Sequence, residues 1–214
     1  MTGLAVLIPF KAAEPKSRLS DVLKPSQRRK FAELMLEDLL SALQSAGLLT
    51  ASFVVSSDRA ALALATRSGA GTISEPSDLG FNSAVTRAMK KVRGADDFMV
   101  LPADLPALSP ADLELALSFR AQGIDIVLSP SRRFDGTNLL IFSRGGRVAL
   151  SYDRNSFWNH LASAARRGRS LAVCCAPGLT FDVDSPEDLR ALASLRINSR
   201  SRAFATKAHP EWVS

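Results

Sequence analysis

Leu4-Ala5-Val6-Leu7-Ile8-Pro9-Phe10 is the stretch whose reading decides the fold. It is apolar throughout and of strand length, the pattern of a strand covered on both faces. Such a strand belongs inside a mainly parallel sheet with helices packed above and below. The residues that follow agree. Phe31, Leu34, Met35, Ala42, Leu43 and Ala46 recur at helical spacing, Pro25 and Ser26 open that segment, and Gly47 closes it.

Further along, residues 52–56, 71–74, 98–101 and 124–129 read as strands. They alternate with helices over 59–67, 81–92 and 109–121. Beyond 130 the alternation loosens. Residues 138–142 and 147–152 read as two strands around Gly145-Gly146, a candidate hairpin. Residues 156–167 read as helix, 171–175 and 179–184 as strands, and 186–195 as the last helix. The prediction is an α/β domain with three α/β/α layers and a mixed, mostly parallel sheet. It spans residues 1–197, with 198–214 as a polar, loosely held tail.

The chain has 214 residues, of which 46% are apolar, enough for one buried core. No apolar run is long enough for a membrane span, and the N-terminus lacks a basic leader, so a cytoplasmic location is expected. Cys174 and Cys175 are adjacent in an apolar run and read as buried, inert thiols of a reducing compartment. The net charge of +6 suits either nucleic acid or small phosphorylated substrates. Two tryptophans, one tyrosine and scattered arginines favour small ligands, and no nucleic-acid partner is expected.

Chemistry-bearing residues gather where strands end. Lys11, Lys16 and Arg18 leave the first strand in a loop stiffened by Pro9 and Pro15, at the carboxyl edge where open α/β sheets bind ligands. The loop reads equally as a triphosphate cradle or as a solvated basic segment. Asp104 follows an apolar strand between Pro102 and Pro106, which favours a metal ligand over a plain turn residue. Asp112 is explained differently: with Ser109 it caps a helix that begins at Pro110. Asp182 and Asp184 stand two apart at an expected strand end, so both face one side, and a divalent cation is the usual compensation for such a pair. Ser185, Pro186 and Asp188 repeat the capping pattern. Asp135-Gly136-Thr137-Asn138 is a weak turn signal that could also face a phosphate. His160 reads as a structural hydrogen-bonder. Serine-triad hydrolysis and zinc binding find no matching motif.

Four segments together carry a resemblance: Ile8 to Ser20, Leu101-Pro102-Ala103-Asp104-Leu105-Pro106, Asp135-Gly136-Thr137-Asn138, and Asp182 to Leu189. In order and content they resemble the 2-phospho-L-lactate guanylyltransferase family of coenzyme F-420 biosynthesis, within the nucleotide-diphospho-sugar transferase superfamily. The resemblance implies a Rossmann-like fold, GTP and Mg²⁺, and a small phosphorylated three-carbon acid as acceptor. It implies catalytic roles for Lys16, Arg18 and Asp104, with metal ligation by Asp104, Asp182 and Asp184. Pro9, Lys11, Ser17, Pro102, Asn82 and Ser83 fall on its nucleotide side, the last two in a helix start that opens at Asp78-Leu79. Thr137, Asn138 and Ser156 fall near the acceptor phosphate. Members of the family usually carry two or three glycines before the Thr-Asn pair, whereas here Phe134 and Asp135 precede a single Gly136.

The chemistry so implied is guanylyl transfer without a general base, since a phosphate monoester is already largely dianionic at neutral pH. The same residues leave open transfer of guanylyl or cytidylyl to a molybdopterin or sugar phosphate, and the basic charge leaves open a non-catalytic nucleotide- or nucleic-acid-binding role. Self-association as a homodimer is left open too.

Overall fold

Alternation along β1 (Leu4–Pro9) sends Val6 and Ile8 to one face and Ala5 and Leu7 to the other, and the computed structural model shows both faces covered. The structure describes residues 3–11, 16–77, 80–146 and 148–212. Within these, β1 joins β2 (Ser52–Ser56), β3 (Gly71–Ser74), β4 (Asp97–Val100), β5 (Ile126–Pro130), β6 (Thr137–Ser143) and β7 (Leu171–Val173) in one sheet. The strand order is β3-β2-β1-β4-β6-β5-β7. Only β6 is reversed among them, pairing antiparallel with β4 and β5. The sheet is therefore mixed and mostly parallel.

Helices α1 (Pro25–Ser45), α2 (Arg59–Ser68) and α4 (Pro110–Ala121) bury apolar residues against the Val6 and Ile8 face. The opposite face receives α3 (Phe81–Lys91) and α5 (Ser156–Arg166). Three layers result. The short α6 (Pro177–Thr180) leads into α7 (Pro186–Ser194) and α8 (Arg200–Ala208). The capping pairs Ser109–Asp112 and Ser185–Asp188 both form reciprocal boxes, each followed by proline in the first turn.

Four expectations are corrected. The hairpin is not formed: β6 takes β4 and β5 as partners, and residues 148–152 are irregular, with Arg147 outside the described residues. The backbone donors there are used by side chains instead. Ser151 N–H donates to His160 Nε2 at 3.0 Å and Tyr152 N–H to Asn82 Oδ1 at 2.8 Å. Residues 179–184 are not a strand either. Leu179 sits in the core beside α4 and β5, whereas Val183 sits in a separate cluster with Leu19 and Leu189, so the segment bridges two cores. Its apolar spacing comes from that bridging, not from a pleat.

The expected tail carries α8, which is docked. Ala205 is fully buried, Phe204 stacks on Phe31 with centroids 5.8 Å apart, and α1 reaches the first turn of α8, which Ser199 caps. There, Asp38 accepts from the N–H groups of Arg200 at 2.8 Å and Ser201 at 2.9 Å. Finally, Cys174 is buried but Cys175 is exposed. Neighbours just past a strand face opposite ways, so an edge position cannot bury both. No helix among the described residues is long and apolar enough to cross a membrane.

Candidate active site

From β1 the chain builds β2 and β3 on one side, then returns to place β4 on the other. The crevice outside the carboxyl ends of β1 and β4 is thus a topological switch point, where open α/β sheets bind ligands. Backbone bonds hold both exits: Phe10 N–H donates to Val55 O at 2.9 Å, and Leu101 N–H to Leu7 O at 3.0 Å. The first exit passes to Lys16, whose backbone is left-handed (φ 55°) just before a one-turn helix at Ser17–Leu19. Buried Leu19 anchors that turn in the third core cluster.

Lys16 Nζ donates to Asp104 Oδ2 at 2.8 Å and to Asp184 Oδ1 at 2.7 Å. Two carboxylates distant in sequence therefore close on one ammonium. The segment bearing Asp184 is held at both ends. Val183 N–H donates to Asp104 O at 3.3 Å, and Asp184 N–H to Asp188 Oδ2 at 3.2 Å. The capping box of α7 thereby positions the site. Arg18 Nη1 lies 3.8 Å from Asp184 Oδ2 and is largely exposed.

Burial alone would lower the pKa of Lys16, but Asp104 and Asp184 outweigh it and raise it above the ordinary lysine value. Lys16 drives Asp184 the other way, below the usual carboxylate range. The carboxyl of Asp182 is pushed up, chiefly by burial and then by the charge of Asp104. Asn138 opposes this by donating to Asp182 Oδ1 at 3.1 Å. Asp104 Oδ1 is buried without a hydrogen-bond partner among the described residues. That atom fits a cation ligand, and the ammonium between Asp104 and Asp184 already marks a cation position. No group of three or more His, Cys, Asp or Glu among the described residues could hold a metal by itself. The donor set thus fits an ion held by one or two carboxylates and completed by substrate phosphates and water, the usual habit of magnesium.

The carboxylate–lysine cluster lines a cavity of 640 Å³ that crosses the sheet edge. Pro9, Lys11, Ser17, Arg18 and Pro102 line it. Glu75, Val55, Gly80, Phe81 and Ala84 line it as well. Pro15 and the Asp78-Leu79 pair lie outside the described residues. Asn82 and Ser83 are absent from the lining. Asn82 is engaged with the loop beyond β6, where its Nδ2 donates to Asp153 Oδ2 at 3.1 Å.

A much smaller pocket adjoins, sharing Arg18 and Asp184 and adding Arg132, Arg133 and Asp182. Thr137, Asn138 and Ser156 are buried and line neither space. Ser156 Oγ donates to Thr137 Oγ1 at 3.1 Å, and Thr137 Oγ1 lies 3.0 Å from His160 Nδ1. The structure therefore brings together Lys16, Arg18, Asp104 and Asp184, sets Asp182 beside them, and keeps the three expected acceptor contacts inside the protein.

Sequence reasoning passed over Glu75, Arg132 and Arg133. A signal existed for Glu75: like Asp104, it is an acid just past a strand with a proline within two residues. The two arginines carried none, being a basic pair in a loop.

Residues 4–207 match the family model described as guanylyl transferase CofC like. A phosphoenolpyruvate guanylyltransferase from Rubrobacter xylanophilus is 38% identical over 90% of this chain and 94% of its own length. A 2-phospho-L-lactate guanylyltransferase from Archaeoglobus fulgidus is 34% identical over 95% of this chain and 90% of its own. A 3-phospho-D-glycerate guanylyltransferase from Phenylobacterium zucineum is 32% identical, covering 92% of each. Among solved structures, one assigned to the nucleotide-diphospho-sugar transferases, from Desulfovibrio desulfuricans G20, superposes with a TM-score of 0.76. It covers 99% of this chain and 97% of that one at 18% identity, a likeness of fold.

Proposed function

The chain belongs to the CofC-like guanylyl transferase family, and from that premise we propose that it joins GMP from GTP to the phosphate of a small three-carbon acid, releasing pyrophosphate. The named relatives act on phosphoenolpyruvate, 2-phospho-L-lactate and 3-phospho-D-glycerate, and the acceptor here is of that class. The product would serve coenzyme F-420 biosynthesis in the cytoplasm. The observation that carries the reading is the ammonium of Lys16 held between Asp104 and Asp184 at the switch point, on the wall of a cavity sized for a nucleotide.

An oxygen of the acceptor phosphate attacks the α-phosphorus of GTP. The new O–P bond forms as the bond to the β-phosphate oxygen breaks, and pyrophosphate departs with that electron pair. A dianionic acceptor has no proton to lose, so the site needs positioning and charge neutralisation more than a base. Lys16, Arg18 and Lys11 supply positive charge along the triphosphate, and Ser17 lines the same wall. Asp104 and Asp184, with Asp182 beside them, would hold a magnesium ion whose chemistry there is neutralisation of phosphate charge. Arg132 and Arg133, exposed beyond Asp184, add positive charge on the acceptor side.

A pyrophosphate-release assay with GTP and each of the three acids tests this. The expected result is release that requires one of the acids. No release from GTP with any of them would overturn the reading.

A further inference from the structure

The cavity runs from the end of β4, where Asp104 sits, across β1 and β2 to the end of β3, where Glu75 follows Ser74. Three strand spacings separate those ends, about 14 Å, which is the scale of an extended nucleotide from its phosphates to the far edge of its base. The two ends differ in chemistry. The Asp104 end carries Lys16 and Arg18, which suit phosphates. Around Glu75 the lining is Val55, Phe81 and Ala84, which suit the faces of a planar ring. Phe81 is itself fixed by Tyr152, with centroids 4.3 Å apart.

Glu75 is 8% exposed, and its backbone is pinned by a bond from its N–H to Ser56 O at 2.9 Å, with Pro76 next in the chain. We propose that Glu75 reads the nucleobase and selects guanine. This rests on the reading that a nucleoside triphosphate occupies the cavity.

The selection follows from donor and acceptor patterns. An ionised carboxylate only accepts hydrogen bonds. Guanine alone among the common bases presents two adjacent donors on its pairing edge, N1–H and the 2-amino group, which match the two carboxylate oxygens. Adenine and cytosine offer one amino donor beside a ring-nitrogen acceptor, and uracil offers one N–H flanked by two carbonyls. Each would set a lone pair against the carboxylate. Charge-assisted bidentate pairs are the strong class of hydrogen bond, and a site built around them rejects ligands that leave a partner unmatched.

The test compares GTP, inosine triphosphate (which lacks the 2-amino group) and ATP, by direct binding and by kcat/KM with the phosphoacid acceptor. The wild-type protein should prefer GTP over inosine triphosphate by at least about tenfold, and over ATP by far more. Glu75→Gln keeps the side-chain volume but turns one acceptor into a donor. It should lower kcat/KM for GTP by about 100-fold and bring the GTP to inosine triphosphate ratio close to one. Inhibition by tripolyphosphate, which engages only the phosphate end, should be unchanged in a folded variant. If Glu75→Gln does not fold, Glu75→Asp reads the same ratio, with a smaller loss expected.

A wild-type preference for GTP with unaltered ratios in the variants overturns the role of Glu75 and leaves the donor assignment standing. Pyrophosphate release by the wild type from ATP or CTP in preference to GTP overturns both.

Discussion

Lys16 holds its ammonium between Asp104 and Asp184 from a backbone in the left-handed region (φ 55°), a conformation that costs a non-glycine residue about 1 kcal/mol. The surroundings impose it: Leu19 anchors the turn, and two carboxylates fix the other end of the side chain. Replacing Lys16 by Met should cut turnover by at least about 100-fold, because positive charge at the triphosphate is lost. Steady-state pyrophosphate release would show it; near-normal turnover would remove Lys16 from the machinery.

His160 makes a different prediction. Its Nε2 accepts from Ser151 N–H, so the neutral ring carries its proton on Nδ1, facing Thr137 Oγ1. Burial lowers its pKa from 6.5 to about 4. The folded state therefore binds fewer protons than the unfolded chain between those values. This contribution to stability is full above pH 6.5, falls as pH drops toward 4, and amounts to about 3 kcal/mol in all. In urea titrations across that window, stability of the wild type should fall more steeply than that of His160→Gln; parallel slopes would contradict this.

At this scale Asp104 was legible as a site candidate, because an acid between two prolines just past a strand has few structural uses, whereas the Lys16 loop read equally as a solvated basic segment. Thr137 and Asn138 rested on a weak turn signal together with the resemblance, and Ser156 on the resemblance. Their type shows polarity but not whether another side chain already satisfies it.

The capping box of α7 serves both stability and the site. Asp188 is 4% exposed, accepts from Ser185 N–H at 3.0 Å and from Asp184 N–H at 3.2 Å, and pairs with Arg132. Asp188→Ala should cost about 2 kcal/mol, chiefly the lost cap, with the half-exposed pair to Arg132 adding little. It should also lower kcat, because the segment bearing Asp184 loses a tether. Chemical denaturation together with turnover checks both, and unchanged stability would refute the double role.

Elements with their own punctuation were readable: Ser109-Pro110 and Ser185-Pro186 announce their helices. Residues 148–152 and 179–184 were misread because apolar alternation also arises where a loop packs on a core or spans two cores. Periodicity reports burial, and only backbone pairing makes a strand.

Across the whole molecule, the continuous apolar run of β1 identified a sheet covered on both faces, and the β-α alternation supplied its layers. The docked end of the chain was not readable. Residues 200–208 are polar in composition, and their anchoring depends on Asp38 and Phe31 from α1. Ending the chain at residue 197 should uncover the cluster around Phe31, Met35 and Leu192 and lower the thermal midpoint by about 10 °C. An unshifted melting curve would show α8 to be dispensable.

The central claim is that the strand ends of β1 and β4, joined by the segment before α7, form one phosphoryl-transfer centre. Pyrophosphate release from GTP and a three-carbon phosphoacid, measured side by side for wild type, Asp104→Asn and Asp184→Asn, tests it most directly. The account predicts a fall of at least about 100-fold in each variant, with the thermal transition retained. Wild-type rates in both would contradict it.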